Sequence, residues 1–401
     1  MTELVAVWRR AVAACDPWRV VREACAGLAA PTRIVAFGKA AGAMAAGALD
    51  VFGAREGVVV TVDGVDVPDV VTASGLHVRR AGHPVPDARS EAAGREVMEL
   101  MQAALPDDVV LVLVSGGASA LVAVPKDGID LAAKIVVVAQ AMRRGAPIAE
   151  LNRVRTELSA VKGGKLAAMC PGKVVTLVVS DVPGDDVGVV GSGPTVPGKP
   201  GDDVRLVAGI ARFRHEAARA LKLSKLTPSP SGDGVNFDNL TGVEERAGAL
   251  EGTAEEVARE VEEVARRLAV GSAWVAGGEW TVKVGEKAGR GGRATHLALL
   301  VAKAIAGMED VRVLVAGSDG VDGTGPWAGA VVDGATWGRA GETEGERGLR
   351  ECDSGTVLAR VGAAIEGGPT GVNHADLVIV ERSGTGTGTG AGTGARATQG
   401  R

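Results

Sequence analysis

The chain has 401 residues, 46% of them hydrophobic and 23% charged, with a formal net charge of −5. At roughly 100–200 residues per domain this suggests two domains with sizeable cores. Scattered Lys and Arg, an acidic balance and an absence of Tyr exclude an ordinary nucleic-acid binder, which needs clustered cations and rings to stack on bases.

The N-terminus, MTELVAVWRR, carries an acidic residue and lacks the apolar stretch of a signal peptide. Val-rich runs at 34–37, 58–62, 109–114 and 174–179 predict strands, with helices expected over 39–52, 88–104 and 130–144. The stretch 151–167 reads as helical and breaks at Gly163-Gly164. The first domain is placed at 1–225, and a Ser-, Pro-, Gly- and Asn-rich stretch at 226–252 reads as a linker or long loop. A second domain spans 253–382. It opens with a helix over 253–268, where Thr253 and Glu256 form a capping box and Val257, Val261, Val264 and Leu268 one apolar face. Further strands are expected at 272–276, 311–316 and 376–380, a helix at 293–306, and a surface loop at 341–351. The Gly/Thr tail, 383–401, has the composition of a disordered segment. Strands interleaved with helices imply an α/β fold, and continuous apolar runs suit parallel strands covered on both faces. The run 131–142 is too short to span a bilayer and contains Lys134, so no membrane is expected. Cys15, Cys25, Cys170 and Cys352 form no paired motif and read as reduced thiols of a cytoplasmic protein.

In open α/β sheets ligands bind beyond the carboxyl ends of strands. After the first run, GKAAG sets Lys39 at a helix start, where an anion is favoured. After the third, Ser115, Gly116 and Gly117 supply backbone N–H groups and a hydroxyl that could cradle phosphate or carboxylate. No Walker A pattern is present, and GASAL at 117–121 lacks the closing Gly of a nucleophile elbow. After the fourth run, Asp181 emerges where a carboxylate can hold Mg²⁺ or take a proton from a hydroxyl. Ser192 and Gly193 in GSGPT add a second turn with free N–H groups. Arg155, Lys162 and Lys165 could face an anion or simply form a solvated helix face. Later, Arg290 and Arg293 in GRGGR suit phosphate, while Asp319 and Asp322 in GSDGVDG suit metal or Asx-turns. Asn373, His374 and Asp376 lie beside the last strand. The His and Cys residues fall at no zinc-ligand spacing, and no dinucleotide fingerprint follows the first strand. Glycine-rich cradles, strand-end carboxylates and cations together are what phosphoryl transfer needs.

The segments FGKAAGAMA (37–45), AGHPVPDARSEAAG (81–94), LVSGGASALVAVP (113–125), LNRVRTELSAVKGGKLA (151–167), LVVSDVPGDDVGVVGSGPTVP (177–197), GGEWTVKV…GRGGR (277–293), GSDGVDGTG (317–325) and GPTGVNHADL (368–377) resemble the glycerate 2-kinases, in order and from about residue 5 to 381. The resemblance implies a Rossmann-like N-terminal sheet domain with helices on both faces. It also implies a smaller α/β domain called MOFRL and an active site in the cleft between them. The implied reaction is ATP-dependent phosphorylation of D-glycerate to 2-phosphoglycerate with Mg²⁺ or another divalent cation, in the cytoplasm, with a homodimer left open. Lys39, Arg293 and, in support, Arg290 would then neutralise the transferring group. Asp181 would act as base or metal ligand, and Asp319 and Asp322 would bind metal. Ser115, Gly116, Gly117, Ser192, Gly193, Lys162 and Asn373 would bind substrate or phosphate. Ala118, Trp280, Trp327, His374 and the GKPGDD segment depart from the usual pattern and bear on which hydroxy acid is used. A hydroxypyruvate reductase and a non-catalytic hydroxy-acid or nucleotide-binding protein are the alternatives.

Overall fold

A computed structural model describes residues 3–224, 242–285 and 288–383; the linker positions 226–241 and the tail from 384 lie outside them. Six strands form the first sheet: β1 (Arg33–Phe37), β2 (Glu56–Val62), β3 (His77–Ala81), β4 (Val109–Ser115), β5 (Lys173–Val179) and β6 (Asp203–Ala208). Their order is β3-β2-β1-β4-β5-β6, and every pair is parallel. The four expected runs supply β1, β2, β4 and β5. They are continuously apolar because both faces are covered. Helices Pro17–Cys25 and Ala41–Phe52 bury Val20, Val21, Met44 and Leu49 on one face. Helix Ala88–Gln102 buries Ala93, Val97 and Met101 on the other. Strand β3, HVRRA, escaped sequence reading because it is an edge strand with mostly exposed side chains.

The second sheet contains β7 (Gly242–Glu245), β8 (Ser272–Gly278), β9 (Val311–Gly317), β10 (Trp327–Asp333), β11 (Ala364–Glu366) and β12 (Asp376–Arg382), in the order β11-β10-β9-β12-β8-β7. Here all pairs are antiparallel except β7 with β8. The runs in β8, β9 and β12 are as continuous as those of the parallel sheet. Continuous apolarity reports burial on both faces rather than strand direction, and both faces are indeed covered. Helices Ala254–Arg267 and Arg293–Ala304 cover one. Helices Glu3–Ala14 and Ile210–Ser224 cover the other.

That second pair comes from within the expected first domain, 1–225, yet packs on the second sheet. Leu4, Trp8 and Ala11 pack with Phe213 and Leu221 against Val275 and Leu314, so both helices belong to the second core. The Trp8 indole also donates to the Gly317 carbonyl at 3.2 Å. Burial of a Trp this complete is worth roughly 3–5 kcal/mol against truncation to Ala, which decides where the helix sits. Within the expected linker, residues 242–245 form β7. The expected loop at 341–351 is a helix, Glu342–Arg350, steadied by Arg347 pairing with Glu344 and Glu351. In the capping box, Glu256 N–H donates to Thr253 Oγ1 at 3.2 Å and Thr253 N–H to Glu256 Oε2 at 2.8 Å.

The chain leaves β1 toward one face of the first sheet and β4 toward the other: Ala41 and Met44 pack on one side, Ala118 and Leu121 on the opposite side. Adjacent parallel strands whose connections diverge in this way open a crevice at their carboxyl ends.

Candidate active site

The crevice is built from the turns after β1 and β4. Gly38 has φ +135°, and a Cβ there would lie 2.1 Å from Ser115 Oγ, so the two turns touch only because residue 38 has no side chain. Lys39 N–H donates to the Gly116 carbonyl at 2.8 Å. Ala40 N–H donates to Ser115 Oγ at 3.1 Å. Ser115, expected to cradle an anion, is 2% exposed and uses its hydroxyl oxygen to fix the Lys39 turn. Gly116 lies against Asp181, whose Oδ2 would be 1.9 Å from an added Cβ. Gly117, at φ +83°, lies against Lys39 Cγ and the His83 ring, which a Cβ would meet at 3.1 and 3.2 Å. Lys39 is exposed, and among the described residues its ammonium has no partner. Burial pushes the Asp181 carboxyl up, while nearby Lys39 and His374 pull it back and Glu279 adds to the rise. Burial and the Lys39 charge both lower His83.

The second sheet brings its own group to the same corner. β8 ends at Gly278, beside Asp376 at the start of β12. Glu279 and Asp376 therefore flank the start of helix Arg293–Ala304, and both hold Arg293. The guanidinium pairs with Glu279 through Nη1 and donates from Nε to Asp376 Oδ2 at 2.5 Å. Asp376 is 4% exposed, and burial lifts its carboxyl to about 7 against the pull of Arg293, with Asp322 and Asp319 adding to the rise. His374 ties the two sheets together. Its Nδ1 faces the Ser180 carbonyl at 2.7 Å, next to Asp181, and its Nε2 faces the Cys15 carbonyl at 3.4 Å. Asp181, beside Lys39, thus lies within electrostatic reach of Glu279, the partner of Arg293 on the second sheet.

Residues 3–221 match the family described as a domain of unknown function (DUF4147), and residues 272–376 match the MOFRL family. The D-glycerate 2-kinase of Thermotoga maritima is 34% identical, over 94% of this chain and 96% of its own. The chain belongs to the glycerate 2-kinase family. A crystal structure of glycerate kinase from Thermotoga maritima superposes with a TM-score of 0.85 at 31% identity, covering 95% of this chain and 98% of that one. A relative from Agrobacterium vitis bearing a hydroxypyruvate reductase name is 34% identical, over 86% of this chain and 85% of its own.

Other expected residues of this glycerate 2-kinase family member fall elsewhere. Asp322 does not meet Asp181. It is 4% exposed and caps helix Arg293–Ala304: Oδ1 accepts from Ala294 N–H at 2.9 Å, and Oδ2 from Gly292 N–H, Thr295 N–H and Thr295 Oγ1 at 2.9, 2.8 and 2.6 Å. With four donors its carboxylate serves the helix N-terminus, which favours negative charge. Asp319 Oδ1 accepts from Val321 N–H at 3.0 Å, the Asx-turn reading. Among the described residues no group of three or more His, Cys, Asp or Glu could hold a metal ion, so Asp181, Asp319 and Asp322 form no triad. Arg290 is exposed and lies over the Trp327 ring at 5.4 Å. Asn373 is exposed beside the buried His374. Lys165 donates to the Thr156 and Ser159 carbonyls at 2.7 and 2.6 Å and so caps helix Ile148–Glu157. Lys162, Ser192 and Gly193 lie together beside Ser119, on the turn beyond Gly117.

A cavity of about 550 Å³ adjoins Arg293 and Asp376 on the second sheet's side, lined by Trp280, Val282, Val321 and the backbone of Gly291 and Gly292. Trp280 is 2% exposed and donates its indole N–H to the Arg293 carbonyl at 3.0 Å, so it is a wall of this cavity. Trp327 is not among its lining residues. Sequence reasoning missed Glu279 and His83 as site residues. Glu279 follows a strand end directly, the same signal that drew attention to Asp181.

Proposed function

We propose that the chain is a D-glycerate 2-kinase that moves the terminal phosphoryl group of ATP to the 2-hydroxyl of D-glycerate. The observation that carries this reading is the convergence of Lys39 and Asp181 at the Gly116–Gly117 turn with the Glu279–Arg293 pair of the second sheet. Asp181 accepts the hydroxyl proton; burial raises its carboxyl above the ordinary carboxylate range, which makes it a better proton acceptor. Lys39 and Arg293 meet the phosphoryl oxygens from opposite sides, and charge placed there in a partly dry site stabilises the transition state. Glu279 and Asp376 hold the Arg293 guanidinium in place. The acidic residues fit a divalent ion that arrives on the nucleotide, since Mg²⁺ commonly takes one or two protein carboxylates and completes its shell with phosphates and water. Asp319, on the wall of the cavity, would help hold it, and when bound it would neutralise phosphate charge. The cavity beside Trp280 is within the usual range for a small-molecule site and has the apolar walls a nucleobase needs. No helix among the described residues is long and apolar enough to cross a membrane, and the four cysteines are free, which fits a cytoplasmic enzyme.

Reduction of hydroxypyruvate is disfavoured by the turn after β1, where Gly38-Lys39-Ala40-Ala41-Gly42 lacks the glycine spacing that admits a dinucleotide pyrophosphate. A coupled assay for ADP with D-glycerate, ATP and Mg²⁺, with the product located as the 2- or 3-phosphate, tests the reading. Formation of 2-phosphoglycerate is expected. Lys39→Met and Asp181→Asn are expected to lose about 100-fold or more in kcat; near-normal turnover in either removes that residue from the mechanism.

A further inference from the structure

Past the Gly116–Gly117 turn, the first domain gathers cations that form no salt bridge among the described residues, the Glu91 carboxylate reaching only Lys134 through its charge. Lys162 is 1% exposed, yet its ammonium donates only to the Ser119 carbonyl, at 2.8 Å, and to the Ser119 hydroxyl. Lys134, also buried, donates to the Val124 carbonyl at 3.3 Å. Arg155 is half-buried and has no hydrogen bond or ion pair among the described residues. Its charge is close enough to Lys162 to repel it, adding to the effect of burial and Lys134 in holding that ammonium well below the usual lysine range. One helical turn earlier, Asn152 accepts from the Ser192 hydroxyl at 3.2 Å, while its buried amide nitrogen has no partner.

The backbone around this patch is held in a conformation that needs a reason. Gly191, Ser192 and Gly193 are all left-handed, with φ of 61°, 62° and 58°. Ser192 bears a side chain there at a steric cost that functional sites commonly carry. Gly163 N–H and Gly164 N–H, donating to the Ser192 and Gly193 carbonyls at 3.1 and 2.8 Å, keep it so. This aims the Ser192 hydroxyl at Ser119 Oγ, 3.3 Å away. Buried charges are ordinarily paired and buried amide donors ordinarily bonded. An anion with two acceptor oxygens satisfies Lys162, Arg155 and Asn152 at once.

We propose that Lys162, Arg155, Asn152, Ser119 and Ser192 form the subsite for the carboxylate of the hydroxy-acid substrate. The proposal rests on the phosphotransfer reading above and divides the two anionic substrates between the domains. In a 2-hydroxy acid the carboxylate is one carbon from the reacting hydroxyl, so its subsite must adjoin the Asp181 corner. Ser119 is three residues beyond Gly116, which touches Asp181. A polyphosphate arrives with a divalent cation and seeks carboxylates; among the described residues Lys162, Arg155 and Asn152 have no carboxylate paired with them, whereas Asp319 and Asp376 line the cavity of the second domain.

The test uses Arg155→Met and Asn152→Leu in the full chain, both on a partly exposed helix face, with thermal unfolding as the folding control. Each should raise KM for D-glycerate about 10- to 100-fold, the loss expected for one charge-assisted contact, with KM for ATP within about twofold. Calorimetric titration with D-glycerate alone should weaken in parallel, and titration with ADP should not. A raised KM for ATP with an unchanged KM for D-glycerate would assign the patch to nucleotide phosphate and overturn the proposal, and so would folded variants with both constants unchanged. If the wild-type protein fails to phosphorylate D-glycerate, the kinase reading falls. The titrations of wild type and Arg155→Met with D-glycerate still decide the subsite.

Discussion

Replacing Gly116 with alanine inserts one carbon into the corner where Asp181 works and changes little else. The added Cβ would lie 1.9 Å from Asp181 Oδ2 and 2.3 Å from its Cγ, whereas real Cβ contacts stay beyond 3.0 Å, so the carboxylate must retreat by about 1.1 Å. Gly116 is not among the positive-φ residues, so alanine accepts its backbone without strain. A catalytic group displaced by about 1 Å typically costs on the order of 100-fold in rate, or about 2.7 kcal/mol of transition-state stabilisation. The loss should fall on kcat, because Asp181 acts on the hydroxyl during transfer rather than on either substrate's anionic group. Steady-state ADP release with D-glycerate, beside thermal unfolding, measures both quantities. Gly27→Ala is the control, since a Cβ there meets nothing within 4 Å. Wild-type kcat in a folded Gly116→Ala protein would refute the placement of Asp181 as the base. Activity lost only in proportion to unfolding would refute it equally.

Asp322→Ala should destabilise the fold by about 3–5 kcal/mol, because it strips the charge-assisted bonds from three backbone N–H groups at the start of helix Arg293–Ala304. Urea unfolding measures this, and an unchanged Mg²⁺ dependence of the folded fraction separates a cap from a metal ligand. His374→Ala removes the buried ring that bridges the Ser180 and Cys15 carbonyls and leaves the one it donates to without a partner, so stability should fall by about 1–3 kcal/mol and kcat should fall with it; a change in neither would remove His374 as the tie between the sheets. Asp376 titrates at about 7 when folded against an ordinary 3.8, so the folded protein holds a proton that the unfolded chain releases. Its contribution is full below pH 3.8 and lost as pH rises through about 7. Asp376→Asn should therefore flatten the decline of the urea midpoint between about pH 4 and pH 7, and an unaltered decline would exclude Asp376 as its source.

The strands at the centre of both sheets were legible because full burial on two faces writes itself as unbroken Val, Leu and Ile. Lys39, Gly116 and Asp181 drew attention because strand ends are where an α/β fold presents its chemistry, and Arg293 because GRGGR opens a helix. Edge strand β3, with exposed Arg79 and Arg80, lacks that signature, and helix Glu342–Arg350 looked like a loop because its stability lies in ion pairs rather than an apolar stripe. Strand direction in the second sheet was invisible, since apolarity records depth and not polarity of the chain. The partners of individual side chains were equally invisible. Asp322 and Asp181 follow strands in the same way, yet one is saturated by a helix end 28 residues upstream and the other faces Lys39. That N-terminal helix Glu3–Ala14 covers the second sheet, and that Glu279, His374 and Arg293 reach a corner begun by Lys39, was decided only by tertiary packing. Sequence pattern reports whether a residue is buried and what its neighbours along the chain allow. Which distant group fills the space beside it depends on how whole layers stack.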